Sequence, residues 1–312
     1  MNGARRHQAA GNGSARAGWR SRPEAGTLLG IRLMIALANL LGRRVLHAAL
    51  YPVTAYFYLV RGHERRCSRA FLARVLDRPV RHRDVFRHML SFARVTADRV
   101  YFLADDQPRI PVRFHGAEAL QALVDDIDHG VFLAAHMGSF EAARVLGPAL
   151  GGVELHIVLD RQINRRLMQA LEALNPQFAA LIIDSEQPAV ALGLTIGDAL
   201  RQGRWVGFLA DRHRPQDRTV ECDFLGGRAH FPVGPFVIAS TFKAPLVGIF
   251  PRCAGDGYEI HCEILCRRLD IPRRERDAQL QHWAQLYADR LAHHARQAPF
   301  SWFNFFDFWA HR

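Results

Sequence analysis

The 312-residue chain is 49% hydrophobic and 23% charged. That is long enough for one large domain or two small ones, and too apolar for disorder as the main state. A formal net charge of +11 and a sequence pI of about 10.3 favour anionic partners: nucleic acid, anionic lipid headgroups or an acidic carrier protein. Five cysteines, with no CxxC pair and no His/Cys cluster at zinc spacing, read as free thiols, with no disulfide and no metal assigned.

Residues 1–25 are rich in Gly, Ala, Arg and Ser and lack apolar periodicity. They read as a disordered basic tail, not a secretory signal, because no uninterrupted apolar core with a cleavage site follows directly. Residues 26–61 are largely apolar but broken by Arg32 and the Arg43–Arg44 pair. The charge-free run Val45 to Val60 is shorter than the about 20 residues a spanning helix needs, and Pro52 interrupts it. The expectation is an apolar helical anchor dipping into the cytoplasmic leaflet, its arginines reaching the headgroups. A single spanning helix and a buried helical hairpin are the alternatives.

From Arg61 to Gln107 apolar residues recur at spacings of three and four, with Phe71, Leu72, Val75 and Leu76 followed by Phe86, Met89 and Leu90. This predicts helix with a basic face. The texture then changes. Buried strands are predicted at Val131–Ala135, Glu154–Leu159, Ala180–Ile183, Trp205–Ala210, Pro245–Phe250 and Tyr258–Leu265. Helices are predicted at Ser139–Leu150, Arg161–Leu174, Pro188–Arg201 and Arg273–Gln297. The alternation implies an α/β fold with a mixed central sheet flanked by helices.

One strand end carries chemistry. In Phe132–Glu141 (FLAAHMGSFE), a charge-free strand stops at His136, and a Met137-Gly138-Ser139 turn leads into a helix with Ser139 as N-cap and Glu141 in its first turn. Glu141 is expected to reach back and accept the imidazole N–H, fixing the tautomer and stabilising the imidazolium. His136 would then take the proton of an attacking hydroxyl. The helix N-terminus, beginning near Gly138, offers donors to a phosphate or a developing oxyanion. The plainer alternative is a strand-end histidine that caps the helix or pairs with a surface acid.

The ordered set of segments resembles the lysophospholipid acyltransferase superfamily, most closely its lipid A biosynthesis branch of lauroyl and myristoyl transferases. The resemblance runs from about Gly26 onward. It rests on the apolar segment, the basic helix Arg61–Leu72, the H-x4-E of His136 and Glu141, the block GRWVGFLADR ending at Arg212, and the block from Phe224 to Arg252. It implies a catalytic domain over residues 62–312, with His136 as general base and Glu141 as its orienting partner. It also places Gly138 and Ser139 at the substrate, Asp211 and Arg212 by the mouth of the site, and Gly226, Gly227, Arg228, Gly234 and Pro235 around the pocket. The Gly226–Gly227 and Gly234–Pro235 pairs read equally well as chain turns.

By the same resemblance, an acyl thioester on acyl carrier protein or coenzyme A would be the co-substrate, with no metal or redox cofactor. The acceptor would be a membrane lipid hydroxyl at the cytoplasmic face of the bacterial inner membrane. The sequence departs from the lipid A pattern at Asp211-Arg212-His213 and at Pro299–Trp309, which is closer to the acyltransferases of aryl polyene and other pigment-lipid pathways. The aromatic cluster Phe300, Trp302, Phe303, Phe305, Phe306, Phe308 and Trp309 fits either a core cover or an acyl-chain or membrane contact. A serine hydrolase lacks its G-x-S-x-G elbow here, and a nucleic-acid binder lacks any recognised motif. A lipid-binding homologue without catalysis is the remaining alternative.

Overall fold

The computed structural model describes residues 28–104, 110–142, 147, 150–160 and 180–309. Three helices lead: α1 (Leu28–Val60), broken at Gly42 where φ is 76°, α2 (Gly62–Val75) and α3 (His82–Ala104). The single helical stretch expected from Arg61 is thus two helices, parted where Leu76 turns extended ahead of Pro79. Then come β1 (Val112–His115), α4 (Ala117–Asp126), β2 (Gly130–Ala134), β3 (Leu155–Leu159), β4 (Ile182–Asp184), α5 (Ala189–Arg201) and β5 (Trp205–Leu209). The hairpin β6 (Thr219–Phe224) and β7 (Gly227–Pro232), α6 (Gly234–Thr241), β8 (Leu246–Ala254), β9 (Gly257–Cys266) and α7 (Arg276–Gln297) complete the fold.

Seven strands form one sheet in the order β1-β9-β8-β2-β5-β3-β4. Every neighbouring pair is parallel except β8 with β9, so the sheet is mixed, as expected. β2 lies between β5 and β8 and is buried throughout. Its side chains alternate between two cores, as strand geometry requires. Val131 and Leu133 face a core with Phe71 of α2, Ile196 of α5, Phe236 of α6 and Leu280 of α7. Phe132 and Ala134 face the other core, with Phe102 of α3 and Leu120 of α4. A central strand with both faces covered must be apolar on both, which is why it reads as an unbroken hydrophobic run.

α7 presents Leu280, Ala284, Tyr287, Ala288 and Leu291 at helical spacing, all buried. Full burial of each leucine is worth about 1.5–3 kcal/mol. Tyr287 also donates its hydroxyl to the Ala134 carbonyl at 2.7 Å, which holds the end of β2. A second tie fixes α1. Buried Asp98 of α3 accepts bonds from Arg43 (2.8 and 2.7 Å), from His47 when its Nε2 carries the proton (2.8 Å), and from the Tyr258 hydroxyl of β9 (2.7 Å).

Among the described residues no helix is long and apolar enough to cross a membrane, so the single-spanning alternative has no support there. The second half of α1 instead lies on α3 through Asp98 and leaves Tyr51, Tyr56, Leu59 and Val60 exposed. The expected tail and the helix at Arg161–Leu174 lie outside the described residues, as does half of the expected helix Ser139–Leu150.

Candidate active site

β2 and β5 run in parallel with Ala134 opposite Leu209, and the Ala210 amide extends the ladder to the Ala134 carbonyl at 2.8 Å. His136 and Asp211 each stand two residues past this pair of strand ends, so the sheet brings them together. The Asp211 carboxylate is fully engaged. Its Oδ1 accepts His136 Nδ1–H at 2.8 Å, and its Oδ2 accepts the His136 backbone N–H at 3.0 Å and the Trp302 indole N–H at 2.9 Å. With Asp211 ionised, Nδ1 carries the imidazole proton and Nε2 the lone pair. Nε2 meets no hydrogen-bond partner among the described residues, and the His136 side chain stays 29% exposed while Asp211 is 1% exposed.

Burial by itself would raise the Asp211 carboxyl, but charge from His136 and its hydrogen bond outweigh that and hold it down to about 2. Burial, and then the charge of Arg212, push the His136 imidazole below its ordinary 6.5, against the pull of Asp211. The resting pair is therefore a neutral imidazole on an anionic carboxylate, the form a general base requires.

Glu141, expected on the imidazole, is placed elsewhere. Its Oε1 lies 3.0 Å from Arg99 Nε of α3, an ion pair whose N–H is not aligned on the oxygen, and its Oε2 accepts the Ser139 hydroxyl at 3.3 Å. The correction has a physical cause. The backbone after His136 turns sharply, and the strand pairing puts Asp211 at Nδ1 first. Ser139 does cap, its Oγ accepting the Ala142 amide at 3.1 Å, and it is wholly buried.

Gly138 has φ 53°, and a Cβ there would sit 2.6 Å from the Pro251 carbonyl oxygen, so only glycine fits. Its amide, expected to face an oxyanion, donates to the Ser301 carbonyl at 2.7 Å. The amides of His136 and Met137 are taken too, by Asp211 and by the Ala135 carbonyl at 2.7 Å. The positive groups that remain near the imidazole are Arg99 and Arg212, both of which disfavour its protonated form.

The segment from Phe300 to Trp309 straps the site. Met137 bridges Trp302, Phe303 N–H donates to the His136 carbonyl at 2.8 Å, and Arg212 donates to the Phe303 carbonyl at 2.8 Å. His88 binds the Trp302 carbonyl at 2.9 Å. Of the aromatic cluster, Trp302 and Phe303 are buried, Trp302 against Phe71 and Phe224 in the core and Phe303 against the exposed Phe92.

The other predicted pocket residues are not joined to His136 by any hydrogen bond or ion pair among the described residues. Leu225 and Gly226, both at positive φ, form the two-residue turn between β6 and β7. Arg228 pairs with Glu221 (2.7 Å) and Asp223 (3.0 Å) on that hairpin. Gly234 and Pro235 open α6. Arg99 carried no signal in the sequence, and Trp302 was visible only as one member of the aromatic cluster.

Away from the site, His115, Glu259 and His261 place three ligand atoms within 4.8 Å of one another. The two imidazoles stack with an interplanar angle of 9°, so their in-plane lone pairs do not converge, and Arg113 holds Glu259 at 2.7 Å.

No curated protein matches the chain. The family model described as bacterial lipid A biosynthesis acyltransferase matches residues 20–311, a span that contains the strand ends, the His136–Asp211 pair and the aromatic strap. The chain belongs to the bacterial lipid A biosynthesis acyltransferase family.

Proposed function

We propose that the protein moves a fatty-acyl group from an acyl thioester, on acyl carrier protein or coenzyme A, to a hydroxyl of a membrane lipid or glycolipid, with His136 as general base. The observation that carries this reading is a neutral imidazole whose Nδ1–H is fixed by buried Asp211 while Nε2 stays open. Nε2 takes the acceptor hydroxyl proton as its oxygen attacks the thioester carbonyl. The oxyanion forms beside the charges of Arg99 and Arg212. Collapse breaks the C–S bond, and the imidazolium returns the proton to the departing thiolate, so a ternary complex suffices without an acyl-enzyme. In this scheme Asp211 orients the base, and Glu141 positions Arg99.

The net charge of +11 suits an acidic carrier, and the exposed apolar side chains of α1 suit work at the cytoplasmic face of the inner membrane. The test is transfer from labelled acyl carrier protein to a total bacterial lipid extract. Wild type should label a lipid, and His136→Ala should abolish the label. Mass spectrometry of the product then separates lipid A from a pigment lipid, the acceptor suggested by the Pro299–Trp309 segment. A folded His136→Ala protein that labels lipid at the wild-type rate would refute the assignment.

A further inference from the structure

Where the end of α1 meets α2 and the start of α3 there is a cavity of about 290 Å³, lined by Tyr58, Gly62, Arg65, Arg66, Arg69 and His82. Gly62, Arg65, Arg66 and Arg69 fall at i, i+3, i+4 and i+7, so a single face of α2 supplies all three guanidinium groups. Two of them are held in place by backbone carbonyls. Arg65 donates to the carbonyls of Tyr58 and of Leu59 (3.1 Å), closing the end of α1, and lies over the Tyr58 ring at 5.2 Å. Arg69 donates to the Val80 carbonyl at 3.0 Å. Opposite them, the Tyr58 hydroxyl and His82 Nδ1 are 2.7 Å apart.

None of these contacts cancels charge. Among the described residues no carboxylate pairs with Arg65, Arg66 or Arg69, whereas Arg43, Arg78, Arg99, Arg228 and Arg290 each have at least one. Three like charges lining one cavity repel, and a bound anion relieves the repulsion. The planar guanidinium fork matches phosphate oxygens. The rim shows what carries the phosphate. Tyr56, Leu59 and Val60, on the turn of α1 that leads into the cavity, are 61%, 71% and 54% exposed. A half-open basic pocket, with Arg66 and Arg69 exposed at its wall and large apolar side chains at its border, is the composition of a headgroup site at a bilayer surface. An acidic carrier protein would be met by a basic face, with no need for apolar groups held out in water.

We propose that this cavity binds the phosphate of an anionic phospholipid headgroup, with Tyr56, Leu59 and Val60 entering the acyl boundary beside it. The inference rests on the reading that the protein works at a membrane surface, but not on the catalytic assignment, and its test needs no acyl transfer.

The full chain is sedimented with vesicles of phosphatidylcholine alone or mixed with phosphatidylglycerol. Arg66→Gln, Arg69→Gln and the double variant are compared with a charge-matched control, Arg268→Gln/Arg274→Gln, which removes two exposed arginines elsewhere. The expected loss of affinity for the mixed vesicles is about fivefold per arginine removed from the cavity, with little change in the control or on neutral vesicles. Thermal unfolding checks each fold. Should the double variant unfold early, Arg66→Gln alone decides, since Arg66 makes no hydrogen bond or ion pair among the described residues. Three outcomes overturn the proposal. The cavity variants keep their affinity for mixed vesicles; the control loses as much as they do; or they keep vesicle binding and lose binding to acyl carrier protein, which would make the cavity a carrier site.

Discussion

Replacing Asp211 by Asn separates charge from shape at the centre of the site. Asp211 Oδ2 accepts two N–H groups, from the His136 backbone and Trp302, while Oδ1 accepts the imidazole proton. An asparagine has one carbonyl oxygen, and the two fixed donors claim it. Its NH₂ then faces His136 Nδ1, which must turn a lone pair toward it, so the proton moves to Nε2 and the base is lost. The same exchange beside a catalytic histidine in serine proteases lowers turnover on the order of 10⁴-fold, about 5 kcal/mol at roughly 1.4 kcal/mol per decade.

Stability changes less. The Asp211 carboxyl sits near 2 against an ordinary 3.8, so its charge contributes about 2 kcal/mol above pH 3.8 and the contribution fades as pH falls through 2. The assay is single-turnover transfer from labelled acyl carrier protein, with thermal unfolding as the fold control and nitrogen NMR of the histidines to read the tautomer. A folded Asp211→Asn protein that turns over within tenfold of wild type would refute both the tautomer argument and the role given to Asp211.

Three further predictions follow from the same contacts. Because burial and Arg212 lower the His136 imidazole below 6.5, the acid limb of kcat/KM should be centred below pH 6.5; an acid limb centred above 6.5 counts against His136 as the base. Trp302→Phe keeps a ring against Phe71 and Phe224 but removes the N–H on Asp211. It should cost about 1.5–3 kcal/mol of stability and move the acid limb upward, because a less satisfied carboxylate draws the imidazole proton more strongly; an unmoved limb assigns Trp302 to packing alone. His88 is wholly buried, and burial takes it down to about 4 against its bond to the Trp302 carbonyl. Protons therefore bind the unfolded chain first, and stability should drop by about 3 kcal/mol as pH falls from 6.5 to 4 and then level off. His261 titrates in the same window, so His88→Gln should flatten only part of the slope, and an unchanged slope would remove His88 from the account.

Short β1, with Arg113 in it, was not legible, but β2, β5 and the first part of β8 (Leu246–Phe250) were, because a strand covered on both faces writes itself as a charge-free run. His136 was legible for the same reason, standing where one of them ends. Its partner was not. Glu141 is five residues away in sequence and Asp211 seventy-five, and only the β2–β5 register, which no local pattern states, makes the distant carboxylate the near one. Arg99 lies on a helix whose basic residues all look alike in sequence, so nothing singled it out. β6 and β7 were missed because the expected Gly226–Gly227 turn came without the two short strands beside it. Leu225 and Gly226 form that turn, one residue earlier in the chain.

The strap over His136 also sets an order of events. The bridge between Met137 and Trp302 closes a loop of more than a hundred residues, and closures that long come late because their entropy must be offset by contacts already made. Until Trp302 and Phe303 are in place, Asp211 lacks one of its donors and the His136 carbonyl lacks the Phe303 amide. The hydrogen bonds around the His136–Asp211 pair are then completed only when the last segment of the fold closes over them.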